Sequence, residues 1–148
     1  MSSSKKLPLK LNRNDFKKLT KLRVREAKVL LDNNCFEGAY YLLGYAIECA
    51  LKACVAKQIN RFDFPDKDFV NKSYTHKLED LLDLSGLKNQ LQTEIKNNKE
   101  LRTNWDVVVL WSEEERYVHS KAKIYAKNLY SAVTARKNGI LTWIKKLW

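Results

Sequence analysis

The sequence predicts an all-α protein, and three observations support this fold class. Glycine and proline, which interrupt helices, are scarce: the 148 residues include four Gly and two Pro. Apolar residues recur at helical spacing over most of the chain, and few segments alternate in polarity as strands do. The third observation is a long apolar segment, residues 36–58, whose length and composition suit the central helix of a bundle. A chain of this size is expected to form a single domain.

The N-terminal segment predicts a flexible basic arm followed by a first helix. Residues 1–13 are rich in Ser and then in Lys, and Pro8 interrupts any regular element. Asn14 has the side chain of an N-cap residue and precedes a helical pattern that ends at the polar residues 32–34. We therefore place the helical domain at residues 14–148.

The central segment, residues 36–58, is apolar on every side of its helical wheel, which is typical of a buried helix. Its polar exceptions follow the spacing i, i+4, i+7 and i+11, so they share one face of the helix. This face is the first candidate for a functional site. Its residues are Tyr41, Tyr45, Glu48 and Lys52.

The central segment is also long enough to cross a bilayer. Glu37, Glu48 and Lys52 argue against a membrane helix, because each charge at membrane depth would cost about 2.5 to 3.5 kcal/mol. The N-terminus lacks the apolar run of a secretory signal, and three cysteines, an odd number, suit a reducing compartment. We expect a cytoplasmic protein with no membrane association. Neither the cysteines nor the histidines have zinc-binding spacing, and we expect no metal or cofactor.

After the central helix, the sequence predicts a loop and three further helical segments. Residues 60–73 are rich in Asp and Phe and predict a loop, after which Thr75 would cap a short helix that ends at Leu84. An amphipathic helix is expected over residues 87–99. The apolar run at residues 105–111 has no neighbouring hairpin partner, so we predict that it is helical.

The last part of the chain predicts a turn and a long basic helix. Ser112 followed by Glu115 fits a capping box that would start a helix directly after Ser112. Alternatively, the chain bends first and the helix starts at Ser120. The final helix is expected to continue nearly to the end of the sequence, with a kink or an interruption at Gly139.

Positive charge is concentrated at the two ends of the chain, whose total net charge is +11. Residues 1–28 carry ten Lys or Arg against two acidic residues, residues 29–115 carry ten against fifteen, and residues 116–148 carry eight against none. If the first and last helices are neighbours, these charges form one basic face that would attract nucleic-acid phosphates or an acidic protein. No known nucleic-acid-binding motif is evident, so the prediction rests on charge alone.

Three motifs resemble the HEPN domain family. They are GYAIECALKA at residues 44–53, YTHKLEDLL at residues 74–82, and ERY at residues 115–117 before a helix that contains Ala and Lys. The resemblance covers residues 14–148. It implies a bundle of four to five helices packed up and down with a short extra helix, frequently a homodimer, and association with nucleotides or RNA. It also implies a nucleotidyltransferase-type partner, as in toxin-antitoxin or defence systems.

Some members of this family are metal-independent ribonucleases that carry an Arg and a His separated by four to six residues. In this chain, only two residues separate Arg116 from His119. One helical turn would place the two on the same side, where the Arg would stabilise a phosphate and the His would transfer a proton. A metal-independent endoribonuclease is therefore one alternative function. In the other interpretation, Arg116 pairs with an acid such as Glu48 or Glu113, and His119 is a surface residue.

The Arg-Tyr pair at residues 116 and 117 matches the non-ribonuclease branch of the family. We therefore expect a HEPN-like protein that binds a nucleotide or nucleic acid, with cations for a phosphate and aromatic rings for a base. A purely structural Glu48–Lys52 ion pair is the alternative for this site, and a non-catalytic interaction or dimerisation module is the alternative for the whole protein. The residues predicted to bind the ligand are Tyr41, Tyr45, Glu48, Lys52, His76, Arg116 and Tyr117.

Overall fold

The computed structural model describes residues 11–61 and 66–148, so most of the predicted N-terminal arm lies outside the described residues. Within these ranges the chain forms eight α-helices, one 3-10 helix and no strand, which confirms the predicted all-α class. Five α-helices have ten residues or more, and three are shorter. The helices are α1 (Arg13–Asp32), α2 (Phe36–Arg61), α3 (Lys67–Lys72), α4 (Leu78–Leu84), α5 (Lys88–Asn97), α6 (Lys99–Val109), the 3-10 helix (Glu113–Tyr117), α7 (Lys123–Thr134) and α8 (Ile140–Lys145).

Helix α1 begins earlier than the sequence predicted, because its N-cap is Asn12 and not Asn14. The Asn12 side chain accepts a hydrogen bond from the backbone N–H of Asp15, and the Asp15 carboxylate accepts one from the backbone N–H of Asn12. The residue three positions after Asn14 is Lys17, which has no acceptor and could not complete such a capping box. The predicted end of the helix at Asp32 is confirmed.

Helix α2 is the centre of the bundle, as predicted, and packs against α1, α4, α7, α8 and the 3-10 helix. By length and composition Phe36–Ile59 could cross a membrane, but 72% of its most apolar window is buried inside the domain. Gly44 has a specific packing role in this helix. A Cβ atom added there would lie 2.1 Å from the ring of Trp111, so only glycine lets this indole cross α2.

Two segments after α2 differ in how well the sequence predicted them. Residues 60–73 were expected to be a loop, but Lys67–Lys72 form the short helix α3, because the Asp66 side chain accepts a hydrogen bond from the backbone N–H of Asp68 at the helix start. The apolar run at residues 105–111 is helical as far as residue 109, as predicted. It belongs to α6, which begins at residue 99 after the N-cap Asn98.

The C-terminal helices are shorter than the sequence predicted. Ser112 caps a 3-10 helix and not an α-helix, and α7 begins at Lys123, after the expected start at Ser120. The expected interruption at Gly139 is confirmed, since α7 and α8 are separate helices. The turn between them is held by Asn138, which has φ 44° and whose backbone oxygen accepts a hydrogen bond from the Asn104 side chain.

Candidate functional site

Glu48 is the centre of a cluster of charged side chains beside α2. The residue is 1% exposed, and its carboxylate contacts two basic side chains. Atom Oε1 lies 2.8 Å from Nδ1 of His76, and Oε2 lies 3.5 Å from Nζ of Lys52. The second ring nitrogen of His76, Nε2, is 3.3 Å from Oε2 of Glu113. We call these four residues the paired cluster; they connect α2 with the segment before α4 and with the 3-10 helix.

His76 bridges two carboxylates in the paired cluster. When the imidazole carries two protons, it can donate a hydrogen bond to Glu48 and another to Glu113; with one proton, it can donate to only one of them. The ammonium of Lys52 gives Glu48 a cationic partner. A carboxylate as buried as Glu48 requires such a partner, because an unpaired charge in the interior is strongly unfavourable.

Arg116 does not pair with Glu48 or with Glu113, contrary to the alternatives predicted from the sequence. Its guanidinium lies 4.8 Å from the ring centroid of Tyr117, and both side chains are exposed. Proximity to the Tyr117 side chain raises the pKa of Arg116. Among the described residues, the partners of Glu48 are His76 and Lys52.

His119 does not share a helical turn with Arg116. The 3-10 helix ends at Tyr117, the following residue Val118 is extended, and His119 is exposed beyond it. The helical arrangement expected for catalysis by Arg116 and His119 is therefore not formed, although their catalytic roles remain a prediction.

Two cavities border the paired cluster. The larger, of about 600 Å³, lies between α1, α2 and α3, and Glu48 and Lys52 are part of its wall. The smaller, of about 430 Å³, lies between the start of α4 and the 3-10 helix, and His76, Trp111 and Glu113 are part of its wall. The Glu48–His76 contact thus joins the wall of one cavity to the wall of the other.

The predicted ligand-binding residues do not meet in one cavity: they are divided between the larger cavity, the smaller cavity and positions outside both. Tyr45, Glu48 and Lys52 line the larger cavity, and His76 lines the smaller one. Tyr41 stacks on Trp111, with ring centroids 6.1 Å apart. The described walls of these cavities do not include Tyr41, Arg116 or Tyr117.

Sequence reasoning missed several residues of this region. Phe16, Cys49 and Tyr74 also line the larger cavity. Cys49 could have been found from its position on the Tyr45–Lys52 side of the central helix. Phe16 and Tyr74 come from other helices or their ends, and no local pattern indicates that they meet α2.

The environment of Cys49 suppresses its ionisation. Burial, and next the neighbouring carboxylate of Glu48, raise the pKa of the thiol to about 12. Burial also raises the pKa of Tyr45, which lines the same cavity. Both groups are therefore neutral near neutral pH and can contact a bound ligand as uncharged polar groups.

The two basic ends of the chain meet, as the predicted basic face required. Arg13 donates a hydrogen bond from Nη2 to the backbone oxygen of Trp148, and Lys57 donates one from Nζ to the backbone oxygen of Leu147, at 3.0 Å. The ammonium of Lys17 lies 5.4 Å from the ring centroid of Trp148. The start of α1 is thereby fixed against the segment after α8.

The contact between α1 and the C-terminal helices continues along α1, since α1 also packs against α7. There the ammonium of Lys28 lies 5.7 Å from the ring centroid of Tyr130. The expectation that the first and last helical regions are neighbours is therefore confirmed.

Four basic residues at this junction form a group that we call the cation cluster: Arg13, Lys17, Lys21 and Lys57. Burial, and then the charges of Arg13, Lys57 and Lys21, lower the pKa of Lys17. In the described part of the chain, none of the four forms an ion pair with an Asp or Glu side chain. The mutual repulsion of the cation cluster is therefore not relieved by any described acidic side chain, although Arg13 contacts an oxygen of the last residue, Trp148.

Comparisons of the chain with protein-family models, with curated proteins and with solved structures find no match. The HEPN resemblance therefore remains a prediction based on its three motifs. Among the described residues, no group of three or more His, Cys, Asp or Glu side chains is arranged to hold a metal ion.

Proposed function

We propose that the protein binds a nucleotide in the larger cavity, between α1, α2 and α3. This function agrees with what the HEPN resemblance implies. The volume of about 600 Å³ lies within the range of small-molecule sites. Much of the wall is apolar, including Leu19, Val55, Ile59 and Val70, and a few polar groups converge on it. A cavity of this composition can bury a planar ring and orient it through a small number of hydrogen bonds.

The Glu48–Lys52 pair is the observation that carries this proposal. It places the Lys52 ammonium, 3.5 Å from the buried Glu48 carboxylate, on the cavity wall. The ammonium can donate a hydrogen bond to a ring nitrogen or a carbonyl oxygen of a nucleobase. The pair is already held in position by the His76 contact, so a ligand need not order it.

Aromatic rings and positive charge near the cavity support the same function. Phe16 and Tyr45 line the wall and offer ring faces on which a base can stack. The guanidinium of Arg23 lies 6.0 Å from the ring centroid of Tyr45, on the α1 side of the cavity. Its ion pair with Glu26 is partly exposed to solvent and hence weak, so a phosphate could compete for Arg23.

Filling the cavity tests the proposal without removing a charge. Ala56 lines the cavity on α2 and is partly buried, so Ala56→Trp would occupy the space where the ring is expected. Gln90→Trp adds the same side chain at an exposed position of α5 and is the matched control. Binding of AMP, GMP, CMP and UMP would be measured by isothermal titration calorimetry, and folding of each variant by circular dichroism.

We expect at least one nucleotide to bind the wild type and the Gln90→Trp variant with similar affinity. The Ala56→Trp variant should bind about tenfold more weakly or not at all, and Lys52→Gln should weaken binding while leaving the cavity open. Absence of binding by the wild type to all four nucleotides would refute the proposal. Unchanged affinity in a folded Ala56→Trp variant would do the same.

A further inference from the structure

The smaller cavity has the features of a second binding site, independent of a nucleotide in the larger cavity. It lies between the start of α4 and the turn that connects α6 to the 3-10 helix. Its volume of about 430 Å³ lies within the range of small-molecule sites. Part of its wall is apolar and the rest carries charged side chains, so it can recognise a ligand that has both kinds of group.

The indole N–H of Trp111 is an unused hydrogen-bond donor in this wall. Trp111 is 4% exposed, and its Nε1 atom is buried without a hydrogen-bond partner among the described residues. Close packing on Gly44 and stacking on Tyr41 hold the ring in place, so a ligand need not order it. An indole N–H can only donate, and a buried donor without a partner is unfavourable. The site therefore favours a ligand that brings an acceptor oxygen to Trp111.

Acidic side chains outnumber basic ones around the smaller cavity. Four carboxylates line it, against one lysine and one histidine: Glu79, Asp80, Glu113 and Glu114 against Lys77 and His76. The His76 ring already contacts Glu48 and Glu113. In the described part of the chain, Glu79, Asp80 and Glu114 form no ion pair. The cavity therefore attracts a cation, and Glu113, the least exposed of the four carboxylates, offers the strongest charged hydrogen bond.

We propose that the smaller cavity binds a small organic cation in which an aliphatic chain joins a guanidinium or primary ammonium group to a carbonyl group. The cationic group would donate hydrogen bonds to Glu113 and Glu114, and the carbonyl oxygen would accept one from Trp111. The chain would pack against Leu78 and Val109, which form part of the apolar wall. A neutral carbonyl group suits the site better than a carboxylate, because the surrounding acidic side chains would repel a further negative charge.

This combination of groups distinguishes the proposed ligand from other cations. A metal ion would use the carboxylates but could not accept a hydrogen bond from the Trp111 indole, and no group of three or more described His, Cys, Asp or Glu side chains is arranged to hold one. A simple diamine would also leave the indole N–H without an acceptor. A neutral amide would satisfy the indole but not the carboxylates.

Three related compounds separate these contributions by experiment. L-argininamide has both a guanidinium and a carbonyl group, agmatine has the same chain and guanidinium without the carbonyl, and L-citrullinamide keeps the carbonyl but has a neutral urea in place of the guanidinium. Binding of each compound to the full chain would be measured by isothermal titration calorimetry at low salt. The ¹H–¹⁵N signal of the Trp111 indole, assigned by triple-resonance NMR, reports contact with that group directly.

Two double variants test the acidic side chains. Glu113→Gln, Glu114→Gln changes the proposed anchors, whereas Asp83→Asn, Asp106→Asn removes the same charge from exposed positions outside the cavity wall on α4 and α6. Circular dichroism would show that both variants are folded. We expect the first variant to bind argininamide about tenfold more weakly than the wild type, and the control variant to differ by about twofold or less.

We expect argininamide to bind the wild type about tenfold more tightly than either agmatine or citrullinamide, because each of these lacks one of the two groups. Argininamide should shift the Trp111 indole signal, and agmatine should shift it much less. Absence of argininamide binding to the wild type would overturn the proposal. Equal affinities for argininamide and agmatine, an unchanged Trp111 signal, or equal losses in the two double variants would also overturn it.

The two cavities are tested separately, because each has its own ligand. Ala56→Trp fills the larger cavity and should lose nucleotide binding, but it should bind argininamide as tightly as the wild type does. A matching loss of argininamide affinity in folded Ala56→Trp would show that the compound binds in the larger cavity and would overturn its assignment to the smaller one. Failure of nucleotide binding alone would refute the proposed function and leave the argininamide results intact.

Discussion

The paired cluster and the cation cluster contain the same number of charged side chains but balance their charges differently. In the paired cluster, Glu48 and Glu113 alternate with His76 and Lys52, and every contact joins an acidic group to a basic one. In the cation cluster, all four side chains are basic. The basic partners therefore allow Glu48 to be buried, although His76 and Glu113 reach the surface. The cation cluster stays at the surface, where water and ions reduce its repulsion.

The difference in charge between the two clusters also affects the pKa values of two cysteines on α2. Cys49 and Cys54 are both buried, and burial raises the pKa of each thiol. At Cys49 the carboxylate of Glu48 also raises the pKa and outranks the opposing charges of Lys52 and Arg23, whereas at Cys54 the neighbouring charges of Lys57, Arg13 and Lys17 all lower the pKa. Residues of the same type on one helix thus distinguish an environment that contains a carboxylate from one whose neighbouring charges are positive.

The largest loss of stability is expected from Gly44→Ala, which tests whether the packing of Trp111 on α2, beside the paired cluster, can accommodate an added Cβ atom. The added Cβ would lie 2.1 Å from the Trp111 ring, so the indole or α2 must move. We expect a loss of about 3 kcal/mol in the free energy of unfolding, measured with urea. Gly38→Ala is the control: its Cβ would approach the end of the Leu30 side chain at 3.1 Å, which can adjust. A Gly44→Ala loss no greater than that of the control would contradict this description of the packing.

The second prediction compares one charge-removing substitution in the paired cluster with one in the cation cluster. Glu48→Gln removes the negative charge between His76 and Lys52 and should lower the free energy of unfolding by about 2 kcal/mol. The loss should be smaller than for a fully buried pair, because His76 is exposed enough for water to reach it. Lys17→Gln should not lower the free energy of unfolding and should raise it slightly at low salt, because it removes repulsion. Similar losses in both variants, measured in urea, would contradict the comparison.

The effect that is smallest at neutral pH, where it is absent, is expected from the thiol of Cys49 at alkaline pH. Because its pKa is raised from 9.0 to about 12 on folding, its contribution to stability is complete below about pH 9 and is lost as the pH approaches 12. The melting temperature of the wild type should therefore fall more steeply between pH 9 and pH 12 than that of Cys49→Ala. Parallel curves for the two proteins would show that the thiol is not buried as described.

The sequence predicted those features that depend on local patterns. The apolar wheel of the central helix predicted the position of α2, and the spacing of Glu48 and Lys52 predicted that they share one face. The charge distribution predicted a basic face on the condition that the first and last helical regions are neighbours, and the contacts of Arg13 and Lys17 with Trp148 meet that condition.

The remaining features depend on tertiary contacts that no local pattern specifies. His76 and Glu113 are far apart in sequence, and their contact requires the start of α4 to lie beside the 3-10 helix. The prediction that Arg116 and His119 share a helical turn was wrong, because the chain becomes extended after Tyr117. The passage of Trp111 over Gly44 likewise depends on how α6 ends, which the sequence predicted only approximately.

The most direct test of the central claim is the change in unfolding free energy on addition of the nucleotide that binds most tightly. A ligand that binds the folded state stabilises it, so the wild type should gain stability as the nucleotide concentration rises above the dissociation constant. Lys17→Gln, outside the larger cavity, should show the same gain, whereas Ala56→Trp, which fills the cavity, should show little or none. An equal gain in Ala56→Trp and the wild type would contradict the claim that the nucleotide binds in the larger cavity.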